Sequence, residues 1–294
     1  MSSPKTIGIE NVAVVSAEVE PTFEKYERMG FKLTPISAHY EDGDRGKQHA
    51  NRNRYAMFER RSYYEVLNVS ISGLPDAGYG ARLQKWGDHL GKIMFAFDDV
   101  RALQEDFDRK GYDYTPAFTP ITRVWTSAET GVEHSVPMEV MGLPEEYCPE
   151  VFVAVLKHLA PHENYVAEYL IHPNTVKGIS GNLICVDDVV KAADGYAAVL
   201  GVPYDVKGDE AVFTFANKTR FVFMRPEHAA KYLGDIEIPH TPFLAATFFW
   251  AGDLARTEEI FKENGVTFIK RDGRLVVDPK DSANAVCIFE EDMV

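Results

Sequence analysis

A carboxylate set among apolar neighbours is the first place in this chain where chemistry could occur. Glu65 lies in Tyr63-Tyr64-Glu65-Val66-Leu67. Strand alternation puts Tyr63, Glu65 and Leu67 on one face. A carboxylate there is costly unless paired, so Glu65 reads as a metal ligand, a general base or half of a structural ion pair. His158 follows the strand-like run 151–156 and reads as an acid–base or ligand group, or as a satisfied structural histidine. Lys92 opens the apolar run 93–97; it could stabilise an enolate or bind a carboxylate, or stand solvated at a strand start. His39 and His49 flank Glu41, Asp42, Asp44 and Arg45. The polar stretch 40–53 reads as a long loop, either a lid or simply solvated. His49, Asn51, Asn53 and Arg54 lead into the next strand and are the part of that loop best placed to touch a ligand. Trp125, Tyr55 and Phe152 can line a cavity, although most such residues are core. His172, in His-Pro-Asn, reads as a turn or linker residue.

These residues hang on a fourfold repeat. An apolar run leads into a short acidic or small turn, then a helix, then Gly, then further strands. The strand-to-Gly interval is 14 residues from Ser16 to Gly30, 14 from Phe97 to Gly111, 15 from Val186 to Gly201 and 14 from Ala251 to Gly265. Glu18, Asp98-Asp99, Asp187-Asp188 and Asp253 sit at the helix N-termini, where free N–H groups favour a carboxylate. Spaced apolar residues such as Leu103, Phe107, Ile260 and Phe261 can pack on a sheet. Gly at the end supplies a left-handed C-cap. β-rich stretches follow, at 54–58 with 63–69 and at 211–215 with 219–224. A doubly wound α/β fold is the competing reading. It is opposed by the several strands after each helix and by the lack of a glycine-rich phosphate loop after the first strand.

Composition narrows the function. The 294 residues are 45% apolar and 26% charged, ordinary for a globular protein of about two domains. A net charge of −14 repels phosphate backbones, so nucleic acid is not an expected partner. No apolar run reaches membrane-spanning length, and the N-terminus does not read as a signal peptide, so a cytoplasmic location is expected. Cys148, Cys185 and Cys287 read as buried free thiols. GxSxG, HExxH and P-loop motifs are missing from the sequence, which removes serine hydrolases, zincins and ATPases.

The repeat resembles the vicinal-oxygen-chelate superfamily, and within it the glyoxalase-like domain proteins. The segments that carry the resemblance are Ile9-Glu10-Asn11-Val12-Ala13-Val14, Asn53-Arg54-Tyr55-Ala56-Met57-Phe58 and 63–67. Leu156-Lys157-His158-Leu159-Ala160-Pro161 and His172-Pro173-Asn174 are similar too. The resemblance covers essentially the whole chain. It implies an α+β fold of four βαβββ modules pairing into two curled mixed sheets, with residues 1–172 as the working pair and 173–294 as a degenerate one. It also implies a divalent metal (Fe, Mn, Zn, Ni or Mg) held by a first-strand His and a fourth-strand Glu. Here the first-strand positions are Asn11, Lys92, Gly181 and Ala246, and the Glu survives only as Glu65. In the last module that position falls on Ile288, with Glu290 two residues on. The implied site therefore lies in the N-terminal pair. Glu65, His158 and Lys92 are its catalytic candidates. Asn11, His49, Asn53, Arg54, Tyr63 and Trp125 are its substrate contacts. Glu65 and His158 are its metal ligands if a metal binds at all.

Three functions stay open at this point. One is a lyase or isomerase in which Glu65 takes a proton beside a carbonyl. Another is an extradiol-type ring-cleaving dioxygenase, disfavoured by the missing histidines. The third is a metal-free protein that binds a small molecule. A small organic molecule is the expected partner, and a monomer or homodimer the expected assembly.

Overall fold

The computed structural model describes residues 5–41, 47–69, 78–114, 119–149 and 151–292. The first repeat runs β1 (Thr6–Val15), α1 (Val19–Arg28), β2 (Ser37–Glu41), β3 (Gln48–Met57) and β4 (Tyr63–Val69). Helix α2 (Tyr79–Trp86) leads to β5 (His89–Phe97), α3 (Val100–Lys110), β6 (Thr119–Thr126), β7 (Glu133–Gly142) and β8 (Phe152–His158). Helix α4 (Pro161–Asn164) precedes β9 (Val176–Cys185), α5 (Val189–Leu200), β10 (Tyr204–Lys207), β11 (Glu210–Thr214) and β12 (Arg220–Met224). Helix α6 (Ala230–Leu233) precedes β13 (Phe243–Ala251), α7 (Leu254–Glu263), β14 (Phe268–Arg271), β15 (Arg274–Val277) and β16 (Val286–Glu291). Among the described residues no helix is long and apolar enough to cross a membrane.

The four repeats are βαβββ modules, and consecutive modules share a sheet. The first sheet has the order β1-β4-β3-β2-β6-β7-β8-β5 and closes into a barrel. The second has the order β10-β11-β12-β9-β13-β16-β15-β14 and stays open. Closure comes from antiparallel pairing of β2 with β6, Ala38 opposite Val124 and Glu41 opposite Ile121.

Capping follows the sequence pattern with one exception. Asp99, Asp188 and Asp253 accept from the backbone N–H three residues on, at 3.0, 3.0 and 2.9 Å. Glu18 makes no such bond. Its longer side chain does not close the short ring that Asp closes. Gly30, Gly111, Gly201 and Gly265 all take positive φ, between 64° and 82°.

The two sheets share one core. Tyr64 on β4 meets Phe249 on β13 with ring centroids 5.4 Å apart, and Phe95 on β5 meets Phe221 on β12 at 5.8 Å. Each buried Phe or Leu stabilises by about 1.5–3 kcal/mol, against about 1 kcal/mol for an N-cap. Packing therefore dominates how the halves are held. Cys148, Cys185 and Cys287 are buried and form no disulfide with one another.

The stretch 40–53, expected as a loop, is mostly strand: it covers the end of β2 and the first half of β3. Its polar residues alternate toward the barrel interior, which is why low apolar content concealed two strands. Asp42, Asp44 and Arg45 lie outside the described residues.

Candidate functional site

The barrel interior is polar at its middle. Ala13 on β1 pairs with Glu65 of β4 on one side and Lys92 of β5 on the other. Because Ala13 is small, the long side chain of Lys92 can cross it. Lys92 Nζ donates to Glu65 Oε2, and Asn53 Nδ2 donates to Oε1. Glu65 is fully buried and the Lys92 side chain is 8% exposed. Ser37 Oγ donates to Asn53 Oδ1. Arg123 Nε in turn donates to Ser37 Oγ at 2.9 Å. The same guanidinium donates to Asn164 Oδ1 and Thr34 Oγ1, both at 3.2 Å, and stacks 3.7 Å over the Tyr55 ring.

Two cations thus face one carboxylate in this network, and the surplus positive charge shapes its neighbours. Burial, with the charges of Arg123, Lys92 and His49, holds His39 well below the usual imidazole range. Burial and the Glu65 charge push the Tyr55 phenol up. His39 Nε2 lies 3.2 Å from the Tyr55 hydroxyl, while its Nδ1 and the Nε2 of His49 have no hydrogen-bond partner among the described residues. A cavity of about 110 Å³ sits against this group, walled by His39, His49, Tyr55, Tyr63, Lys92 and Phe152. Typical small-molecule sites begin near roughly 300 Å³. This one admits a very small molecule or the reacting end of a larger one.

The structure brings together Glu65, Lys92 and Asn53, with Tyr63 and His49 in the cavity wall. It does not bring in four other candidates. Asn11 is buried on β1 and donates to the Tyr63 carbonyl at 3.2 Å, and its Oδ1 has no partner among the described residues. Arg54 points out of the barrel: its Nε donates to the Thr34 carbonyl at 2.7 Å and it pairs with Glu27 at 2.8 Å. Asn53 and Tyr55 face inward, so alternation turns Arg54 outward. Trp125 stacks on His134 at 4.5 Å and packs on Tyr169, outside the cavity wall. His158 lies beside Glu10 at 3.3 Å and lines a different opening.

That placement bears on the metal. A divalent ion needs converging imidazole and carboxylate donors. Among the described residues no three His, Cys, Asp or Glu side chains come together to hold one. Both Glu65 oxygens already accept from Lys92 and Asn53, and His158 keeps company with Glu10. Among the described residues the donors do not fit a resident divalent metal: Glu65 lies with Lys92 and Asn53, and His158 lies with Glu10. The Lys92 ammonium supplies the positive charge at Glu65.

Arg123, Ser37 and His39 are the residues that the sequence reading left out of the site. Arg123 had a signal: Ile121, Arg123 and Trp125 alternate on one face, so the Arg must share the environment of its apolar partners. In the second sheet the corresponding inner face is apolar. Leu183, Ala246, Phe248 and Ile288 pack there with Tyr232 and Leu233 of α6. Glu290 is held by Arg220 at 2.5 Å and Arg274 at 3.1 Å.

His172 does more than link. Its Nδ1 accepts from the Lys32 N–H at 2.9 Å, and its Nε2 donates to the Met57 carbonyl at 2.7 Å. Burial brings His172 down to about 4, and burial with the Arg123 charge brings His158 down to about 3. Unfolded, both titrate near 6.5. The folded state binds fewer protons, so their stability is present above pH ~6.5 and is lost as pH falls toward the folded values. Burial raises Glu10 to about 7, which acts oppositely: its stability is present below pH ~4.5 and lost as pH rises through 7. Burial also lowers His39, His49 and His89, so across this range the histidines together outweigh the single Glu10 shift, with or without His172. The urea midpoint should therefore fall between about pH 7 and pH 4.5, and fall less steeply in His172→Asn. Identical slopes in the two proteins would contradict the burial of His172.

A family model described as a glyoxalase-like domain matches residues 12–200 of the 294. No curated protein sequence matches the chain. The fold is similar to that of a hypothetical protein from Staphylococcus aureus, with TM-score 0.62, 9% identity, and 97% of this chain and 99% of that one covered. It is similar to a mutant of 4-hydroxymandelate synthase from Streptomyces coelicolor, with TM-score 0.60, 13% identity and coverage of 97% and 92%. It is also similar to an Mn(II)-bound glyoxalase from Novosphingobium aromaticivorans, with TM-score 0.57, 10% identity and coverage of 97% and 82%. At these identities the likeness concerns the fold alone.

Proposed function

The chain belongs to the glyoxalase-like domain family, and on that premise we propose that it is a lyase or isomerase acting on a small organic carbonyl compound through an enolate. The buried Lys92–Glu65 pair, set on either side of Ala13 with Lys92 in the cavity wall, carries this reading. The substrate carbonyl oxygen takes the place of Glu65 on Lys92 Nζ. Glu65 then accepts the proton from the adjacent carbon, and the enolate oxygen keeps the ammonium as its hydrogen-bond donor. Asn53 holds the carboxylate in place throughout. Arg123, reached from Asn53 through Ser37, adds positive charge that favours the anion over the neutral substrate. No step passes through a metal, because the donors for one are not assembled. Ring-opening oxygenation needs two histidines and a carboxylate around iron, which the described residues do not bring together.

The test is solvent deuterium exchange. The purified protein is incubated in D₂O with a panel of small 2-oxo acids and hydroxyketones, and loss of the proton beside the carbonyl is followed by NMR. Glu65→Gln keeps the shape and should lower exchange by about 10²–10⁴-fold. Undiminished exchange in that variant would sink the enolate mechanism. The satisfied state of both Glu65 oxygens favours a second reading, a protein that binds its ligand without turnover. Saturable binding with no exchange in the wild-type protein would select that reading instead.

A further inference from the structure

The far end of the barrel holds a larger cavity, of about 590 Å³, within the usual range for a small-molecule site. It lies where the N-terminal barrel meets the β11–β12 turn, with Asn217 of that turn in its wall. Its inner wall carries His158, Glu10 and Tyr165. The His158 side chain is 3% exposed and sits 3.3 Å from Glu10 Oε1, outside hydrogen-bonding geometry, so among the described residues neither ring nitrogen has a hydrogen-bond partner. Buried polar atoms left in this state are uncommon, because nothing replaces the water they lost. The Tyr165 hydroxyl lies 2.6 Å from Glu10 Oε1 and 2.9 Å from the Arg61 carbonyl. Apolar surface comes from Ile7, Phe97 and Leu156. The exposed Arg61 lines the rim with no ion pair among the described residues, and its charge acts on Glu10.

We propose that this cavity is a second binding site, separate from the Glu65–Lys92 cavity, for a small hydroxy acid with an apolar body. The ligand's hydroxyl meets His158 and its carboxylate meets Arg61. A neutral imidazole offers an N–H on one side of the ring and a lone pair on the other, and the ligand's hydroxyl can accept from the first or donate to the second. Burial and the charge of Arg123 keep His158 neutral. Burial raises Glu10 to about 7, so its carboxyl repels an incoming carboxylate less than an ordinary glutamate would. The two cavities are divided by aromatic packing. Tyr63 walls the smaller one, and its ring stands 5.8 Å from His158 and 6.3 Å from Tyr165.

The probes are 3-phenyllactate and 3-phenylpropionate, which differ by the hydroxyl alone, with binding to the whole protein measured by calorimetry or ligand-observed NMR. Wild-type protein should bind phenyllactate at least tenfold more tightly. His158→Phe keeps a ring and removes both nitrogens; it should bring the two probes within about twofold. Arg61→Met, at an exposed residue, should weaken both about tenfold. Glu65→Gln, in the other cavity, should leave both unchanged. The proposal is overturned if neither probe saturates wild-type protein, if His158→Phe still prefers phenyllactate, if Arg61→Met binds like wild type, or if Glu65→Gln abolishes binding. Loss of deuterium exchange in Glu65→Gln with phenyllactate binding intact would show the two sites failing independently.

Discussion

Lys92→Met is expected to lose about 3–5 kcal/mol of stability, together with any deuterium exchange the wild-type protein catalyses. Methionine nearly matches the lysine stem, so the change leaves little empty volume. What it removes is the ammonium on Glu65, a carboxylate with no exposure to water. Asn53 is then the only remaining side-chain donor in the network to that carboxylate. A buried charge without its counter-ion is costly. The double variant Lys92→Met/Glu65→Leu removes both charges and should recover most of the loss, because the attraction within a buried pair roughly repays its desolvation and little more. Both variants should be inactive. Urea denaturation of the wild-type protein and the two variants measures the coupling. A single variant as stable as wild type would mean that Lys92 and Glu65 do not share a dry interior.

The Glu65 and Lys92 positions in this arrangement were readable from residue types alone, and their frame was not. Alternation along 63–67 placed Glu65 inward, and the apolar run after Lys92 marked its strand. Asn53 and Tyr55 inward required Arg54 outward, a deduction available from the same rule but overridden by the likeness of the segment to its family. The closing strand β2 reads Ser37-Ala38-His39-Tyr40-Glu41. Nothing in that composition says strand to a reader who expects barrel interiors to be apolar. Its partner β6 hid Arg123 for the same reason, since an arginine between Thr122 and Val124 looks like a solvent-facing residue. His158, read from the sequence as a partner of Glu65, has Glu10 as its neighbour. The register of β1 slips between Ile9 and Asn11, and next to that irregularity Glu10 lies beside His158. A bulge of this kind leaves no compositional trace.

Arg123 offers the sharpest test of whether the barrel interior works as a positively charged environment. Arg123→Met should destabilise by about 3 kcal/mol. Thr34 keeps the Tyr55 N–H at 3.0 Å and Ser37 keeps Asn53, so the unmet acceptor is Asn164 Oδ1, and the Tyr55 ring loses its stacked cation. Arg123→Lys should do little better. One ammonium cannot reproduce a planar group that reaches Ser37, Asn164 and Thr34 at once, so retained charge does not mean retained function. The electrostatic readout separates this from a packing defect. Arg123 is among the causes that hold down His39 and His158, so removing it should move both imidazoles back toward their ordinary range, visible in NMR titration. Lysine at 123 would keep them low. If stability falls in Arg123→Met while those titrations stay where they were, the guanidinium is a structural strut and the preference for an anion must come from Lys92 alone. If both move, the interior has been holding a surplus positive charge poised against Glu65, and the enolate oxygen is the group best matched to receive it.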